Sequence, residues 1–232
     1  MQEVVLKDDH KRSISRVWLD DKAYVLKKYQ HLHRWLAVSQ DTRGWLGAHR
    51  LQNGVSCYAW YRRHDLSYSI IVYEDAGDCD LYMPQCLQSP VPQLFDLFRQ
   101  AGGCIAALHR QNIFHADTKP SNFVYQSNAG TNRKVRLIDT DDIRNYWHLS
   151  NKKRARNLAQ FIGCSRPEVS QTLYVQTLLE FFRGYLLESL TSTAELLALL
   201  PAMRRATLAL YPERKNRNLA IFARLLKYLQ DL

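Results

Sequence analysis

Several features that would move a chain out of the ordinary globular classes are missing here. The five cysteines, Cys57, Cys79, Cys86, Cys104 and Cys164, are odd in number and never fall in a C-x-x-C spacing. That argues against a disulfide framework or a zinc site and for reduced thiols in a cytosolic protein. No apolar run approaches the roughly 18 residues of a membrane span. The stretch Met1 to Asp9 lacks the basic flank and apolar block of a secretory signal, so none is expected. There is no internal repeat, low-complexity tract or long linker. Acidic residues are also scarce beside basic ones, 22 against 32, and the net charge of +10 calls for a polyanionic neighbour. Nucleotide phosphates, nucleic acid and an anionic membrane surface all qualify. With 46% hydrophobic residues, the 232-residue chain can build one large domain or two small lobes sharing a cleft.

Against these absences stands one stretch, His115-Ala116-Asp117-Thr118-Lys119-Pro120-Ser121-Asn122. An Asp follows the His by two residues and an Asn follows the Asp by five. This is the H-x-D-x-x-x-x-N order of a phosphotransferase catalytic loop, in which the Asp orients a substrate hydroxyl and the Asn holds a metal. Seventeen positions after Asn122, Leu137-Ile138-Asp139 reads as an apolar strand ending in the acid that chelates magnesium on ATP. Taken singly, these residues also suit a turn that bonds its own backbone, with Asp139 capping a strand. Their joint spacing favours Asp117 as base, Lys119 as a neutraliser of developing charge, and Asn122 and Asp139 as metal ligands. ATP and Mg²⁺ are the cofactors this implies.

The flanking segments follow the same order. Residues 4–29 read as strands, with a hairpin turning at Asp20-Asp21. The phosphate-gripping lysine is Lys27 or Lys28; alternation puts Val25 and Lys27 on one face and Lys28 outward, which favours Lys27. No G-x-G-x-x-G precedes it, and the turn His10 to Ser15, with Lys11 and Arg12, is left to cover phosphates. Residues 30–54 carry Leu32, Trp35, Leu36, Trp45, Ala48, His49 and Leu51 at helical spacing, ending at Asn53-Gly54. A kinase needs a Glu in this helix to pair with the lysine. The segment contains only Asp41.

Strands follow at 56–62 and 67–73, and Tyr73 to Gly77 forms a hinge where the Glu74 C=O and the Ala76 N–H can bond adenine. A Pro-containing segment, 84–92, leads into a helix from Gln93 to Gln111 with Leu94, Leu97, Phe98, Ala101, Ile105 and Leu108 on its apolar face. Ile113-Phe114 is a short strand, and Phe123 to Tyr125 pairs with Val135 to Ile138. His109 reads as structural. Asp141 and Asp142 can meet a metal, a sugar or solvent. After the basic run Lys152 to Arg156, residues 157–232 read as helical, broken near Pro167, Pro201 and Pro212. The fold expected is α+β and bilobal, protein-kinase-like, with a β-rich N-lobe at 1–76 and a helical C-lobe at 77–232.

With these residues laid out, the chain resembles bacterial lipopolysaccharide-core sugar kinases: the heptose kinases, the Kdo (3-deoxy-manno-octulosonic acid) kinase and InaA-type proteins. Tyr24 to Tyr29, Trp45 to Leu51, His115 to Asn122, Leu137 to Asp142 and Arg156 to Phe161 carry the resemblance. It implies an ATP-dependent kinase acting on a heptose or Kdo hydroxyl of an anionic core glycolipid, peripherally at the cytoplasmic face of the inner membrane. No nucleic acid is expected. Three departures stand out: Gly44 where heptose kinases have the helix Glu, Asn157 where they have an Asp, and Ala116 in place of the Arg of H-R-D. The last speaks against control through activation-loop phosphorylation. The basic run at 152–156 is either a solvated face or a seat for an anionic sugar or lipid phosphate. The alternatives are a pseudokinase or nucleotide-binding module, which Gly44 favours, and a kinase of another small hydroxyl substrate. The latter usually offers an acidic pocket, which +10 opposes.

Overall fold

The structure is a computed structural model that describes residues 2–9, 11–30, 39–51, 54–65, 67–130 and 132–230. The expectations placed on His10, Leu32, Trp35, Leu36 and Asn53 lie outside the described residues. The architecture is α+β, kinase-like, with an antiparallel sheet in the N-terminal region and helices in the C-terminal region. The chain divides into two compact units: the part through Ala76 together with Ile138–Ile143, and Gly77–Leu137 together with Arg144–Leu232.

In the smaller unit, strands β1 (Gln2–Asp8), β2 (Arg12–Leu19), β3 (Lys22–Gln30), β4 (Cys57–Arg62) and β5 (Tyr68–Glu74) form one sheet in the order β1-β2-β3-β5-β4. The β2–β3 hairpin closes through Asp20 and Asp21, both at positive φ (48° and 59°), the twist a two-residue hairpin requires. The turn expected from His10 to Ser15 is shorter. Arg12 already belongs to β2, because the Asp9 carboxylate accepts the Lys11 and Arg12 N–H groups at 2.9 Å and closes the turn early. Helix α1 runs from Gln40 to Arg50, so the helical reading of 30–54 began too early: Gln30 still lies in β3, paired with Tyr68. Tyr29, Ala48, Val55, Ile71 and Tyr73 form the buried core, with Trp45, Trp60 and Ile138 against it.

The larger unit contains β6 (Cys79–Asp80), α2 (Pro84–Leu87), α3 (Val91–Arg110), β7 (Ile113–His115), β8 (Phe123–Tyr125), β9 (Arg136–Leu137), α4 (Asn151–Gly163), α5 (Gln171–Glu188), α6 (Thr193–Leu210) and α7 (Lys215–Leu229). Helix α3 begins at Val91, two residues earlier than expected, because Pro92 is well suited to a first turn. All six of its expected apolar residues are buried. It packs along α5 at close range: a Cβ on Gly102 would strike the Phe181 carbonyl, and one on Gly184 the Arg99 carbonyl. Phe161 and Phe181 stack at 4.2 Å, with Phe98 and Phe123 edge-on to Phe161.

Two helix boundaries differ from expectation. The helical run starts at Asn151, so the basic residues 152–156 ride on α4 itself. Pro201 does not break the chain but lies inside α6. Its ring is on the exposed side, while Leu199, Leu200 and Met203 beside it are buried and hold the helix through the lost hydrogen bond. The break falls before it, where Ser192 and Glu195 form a capping box.

Candidate active site

In the smaller unit, Lys27 and Tyr29 point to the same face of β3 and are both buried. Lys27 Nζ lies 2.6 Å from Asp139 Oδ1 and 2.7 Å from Asp141 Oδ2. The Tyr29 hydroxyl donates to Asp141 Oδ1 at 2.8 Å, and Arg12 Nη1 lies 3.5 Å from Asp139 and 3.4 Å from Asp141. Two cations thus face two carboxylates, so the cluster, buried at Lys27 and Asp141 and half-buried at Arg12 and Asp139, carries no net charge. Burial and the neighbouring Asp141 push the Tyr29 hydroxyl well above its ordinary pKa, which keeps it a donor.

The segment that brings both acids has an unusual backbone. Asp139 adopts the left-handed conformation (φ 62°, ψ 57°), which costs a non-glycine residue about 1 kcal/mol and is tolerated best by Asn and Asp. Next to it, Thr140 Oγ1 donates to the Gly44 carbonyl at 2.9 Å, which ties the segment to α1. Gly44 is needed for close approach: a Cβ there would lie 2.8 Å from Asp141 Oδ1 and 2.8 Å from the Tyr29 hydroxyl. Asp41, the single acid of α1, does not reach Lys27. It accepts from Arg62 at 2.8 and 3.0 Å and from Trp60 Nε1 at 3.2 Å. Burial opposes its ionisation, but the bonds from Ser39 and Arg62 hold its pKa below the ordinary value.

Lys28, on the opposite face of β3, lies over the Tyr68 ring at 4.8 Å. Glu74 closes β5 opposite Tyr24, and its N–H donates to the Ser56 carbonyl at 2.9 Å. Asp75 is held by Arg16 at 2.9 Å, and Ala76 ends this stretch of the unit.

In the larger unit, the loop after β7 is gripped by α4. Asn157 and Gln160, one turn apart on its buried face, donate through their side-chain amides to the His115 and Ala116 carbonyls respectively. The Thr118 hydroxyl donates to the Asn157 carbonyl at 2.7 Å, and the Thr118 N–H to Gln160 Oε1 at 3.3 Å. Within the loop, Asn122 Nδ2 donates to the Asp117 carbonyl at 2.7 Å, and the Asp117 N–H to His115 Nδ1 at 3.1 Å. Behind the clamp, His109 is buried. Because Asn157 spends its amide on His115, its Oδ1 must accept from His109 Nε2 (3.3 Å), and His109 Nδ1 then accepts from the Tyr185 hydroxyl (2.9 Å). Burial pushes the His109 pKa down to about 3. Lys119 Nζ reaches Asp117 Oδ2 at 2.6 Å, but both side chains are partly exposed, 42% and 34%.

Of the residues singled out from sequence, Lys27 and Asp139 are brought into contact, as are Asp117, Lys119 and Asn122. Asp141, Gly44 and Gln160 were not assigned these places. The signal for Gln160 was present, since an Asn and a Gln three apart on an otherwise apolar helix face demand buried partners. Asn122 in the larger unit and Asp139 in the smaller each carry the kind of oxygen donor that a hard cation such as magnesium takes. Among the described residues, no cluster of three or more His, Cys, Asp and Glu forms a metal site by itself. Elsewhere in the larger unit, α4 and α6 bound an open groove of about 690 Å³. Ala198, Leu199, Ala202 and Ala206 line it, and Lys152, Arg156 and Arg205 lie along it exposed.

A family model described as the lipopolysaccharide kinase (Kdo/WaaP) family matches residues 61–185, more than half of the chain. The match takes in the loop from His115 to Asn122, Asp139, Asp141 and the clamp residues of α4; Lys27 and Gly44 precede it. No curated protein matches the chain. Among the described residues, no helix is long and apolar enough to cross a membrane.

Proposed function

The chain belongs to the lipopolysaccharide kinase (Kdo/WaaP) family, and from that premise we propose that it transfers the γ-phosphoryl group of ATP to a heptose or Kdo hydroxyl of the lipopolysaccharide core. The observation that carries this reading is the contact of Lys27 with Asp139, a strand lysine and a metal acid 112 residues apart in the chain. In this reading Lys27 grips the α- and β-phosphates, and the Glu74 carbonyl and Ala76 N–H bond adenine. Asn122 and Asp139 would hold the magnesium, which would supply neutralisation of phosphate charge.

Asp117 takes the proton of the attacking sugar hydroxyl, and Lys119 offsets the charge that develops. An exposed ion pair is weak, so Lys119 is readily drawn from Asp117 when acceptor and phosphate arrive. The clamp from Asn157 and Gln160 fixes the loop backbone, as preorganised catalysis requires.

The acceptor is an anionic core glycolipid, met peripherally at the cytoplasmic face of the inner membrane. The +10 charge supports this, as do Lys152, Arg156 and Arg205, with which no carboxylate pairs among the described residues. Incubation with Mg-ATP and purified core glycolipid, read by mass spectrometry, tests it. The product should gain one phosphoryl group, and Asp117→Asn should slow transfer by about 10² or more. No stabilisation by millimolar Mg-ATP, or an unchanged rate in Asp117→Asn, contradicts the proposal.

A further inference from the structure

Kinases fix their strand lysine with a glutamate from the neighbouring helix. Here that helix, α1, has no glutamate, and its single acid is committed to Arg62 and Trp60. We propose that Asp141 is the positioning carboxylate of Lys27, supplied from the segment after Asp139, with Gly44 keeping the space that it fills. The inference rests on the phosphotransferase reading above.

Three contacts fix Asp141 where it can serve: Lys27 at 2.7 Å, Tyr29 at 2.8 Å and Arg12 at 3.4 Å. It is 2% exposed, so it is neither a solvated surface acid nor a loosely held one. The Thr140 bond to the Gly44 carbonyl anchors its turn on α1 at the position where a side chain would displace it. Gly44 is therefore the complement of Asp141, and the two belong to one arrangement. Any side chain at 44 would compete with the carboxylate that replaces it.

A regulatory consequence follows. Where the glutamate sits on the helix, moving the helix breaks the pair and switches the kinase off. Here one six-residue segment, Ile138–Ile143, carries both the metal acid and the lysine's partner. Lys27 is positioned without any acid from α1, so displacement of that helix acts on the lysine's carboxylate only through the Thr140–Gly44 tie.

The test measures nucleotide affinity by calorimetry, well below the melting temperature, for ADP in EDTA and for Mg-ATP. ADP without metal reports the lysine–phosphate contact with no contribution from a metal. Asp141→Asn keeps the side chain's shape and an acceptor for Tyr29; it should weaken both nucleotides by about tenfold or more. Gly44→Ala, which crowds the same carboxylate with one methyl group, should weaken both in the same direction. If Asp141→Asn weakens Mg-ATP but leaves ADP in EDTA unchanged, Asp141 is a metal ligand and the inference fails. Unchanged affinity for both nucleotides in either variant also overturns it. Wild-type protein that binds neither nucleotide removes the phosphotransferase reading, and this inference with it.

Discussion

In the smaller unit Lys27 Nζ lies 2.7 Å from Asp141, and in the larger unit Lys119 Nζ lies 2.6 Å from Asp117. The distances are nearly equal, but the surroundings are not. The first pair is 6% and 2% exposed and the second 42% and 34%. Water screens the second pair and leaves it worth about 1 kcal/mol or less, free to open for a substrate. The first has little water to fall back on, and losing either partner leaves its cluster with one uncompensated charge. Contact distance therefore says little about what a lysine–aspartate pair does. Burial separates a pair that fixes a position from one that can be exchanged.

The larger unit has a fixed part too, made by different means. Asn157, Gln160, Thr118 and neutral His109 hold the loop after β7 with amides, hydroxyls and an imidazole rather than with opposed charges. Such a network keeps its strength in salt but is exposed to pH through its one titratable member.

The largest effect is expected at the charged cluster. Lys27→Met takes the shared ammonium from Asp139 and Asp141 and should cost about 3–5 kcal/mol. For a chain of this size that is a fall in Tm on the order of 10 °C. A Tm near wild type would break the comparison, because it would make the buried pair as dispensable as an exposed one. Next comes Asn157→Ala, which takes the Asn157 amide away from the buried His115 carbonyl. A loss of about 1–3 kcal/mol in urea unfolding is expected, with slower transfer and unchanged nucleotide affinity.

The pH effect is smaller per unit and has a definite sign. His109 has a folded pKa of about 3, while an unfolded His titrates near 6.5. Between these values the unfolded chain binds more protons, so stability is complete above about pH 6.5 and is lost as pH falls toward 3. Wild-type protein should lose about 1.2 kcal/mol more than His109→Gln between pH 6 and 5. Parallel curves would remove His109 from the network. The smallest stability effect belongs to Lys119→Met, within about 1 kcal/mol of wild type in urea, although transfer should fall clearly.

What was legible in the sequence follows from how far apart the partners lie. The candidate loop His115 to Asn122 is made of near neighbours, so its motif could be read from spacing, and β7, β8 and β9 around it were equally local. The β2–β3 hairpin was readable from Asp20-Asp21 and alternation. Lys27 could be chosen over Lys28 because strand alternation is a local rule. Its partner could not be chosen, because Asp141 is 114 positions away and no periodicity connects the two. Gly44 was visible as a departure, and the missing glutamate pointed toward an inactive module; only the Cβ geometry shows that the space is filled by another acid. The start of α1 was misjudged because apolar spacing in 30–54 continues across the end of β3. Pro201 was misjudged because a solvent-facing proline costs one hydrogen bond, which a buried face can offset.

Double-mutant cycles on the two lysine–aspartate pairs, Lys27 with Asp141 and Lys119 with Asp117, test the central contrast most directly. Urea unfolding of the single and double variants yields each coupling energy. About 2 kcal/mol or more is expected for the buried pair and under about 0.5 kcal/mol for the exposed one. Equal couplings, or the larger value at Asp117, would contradict the account.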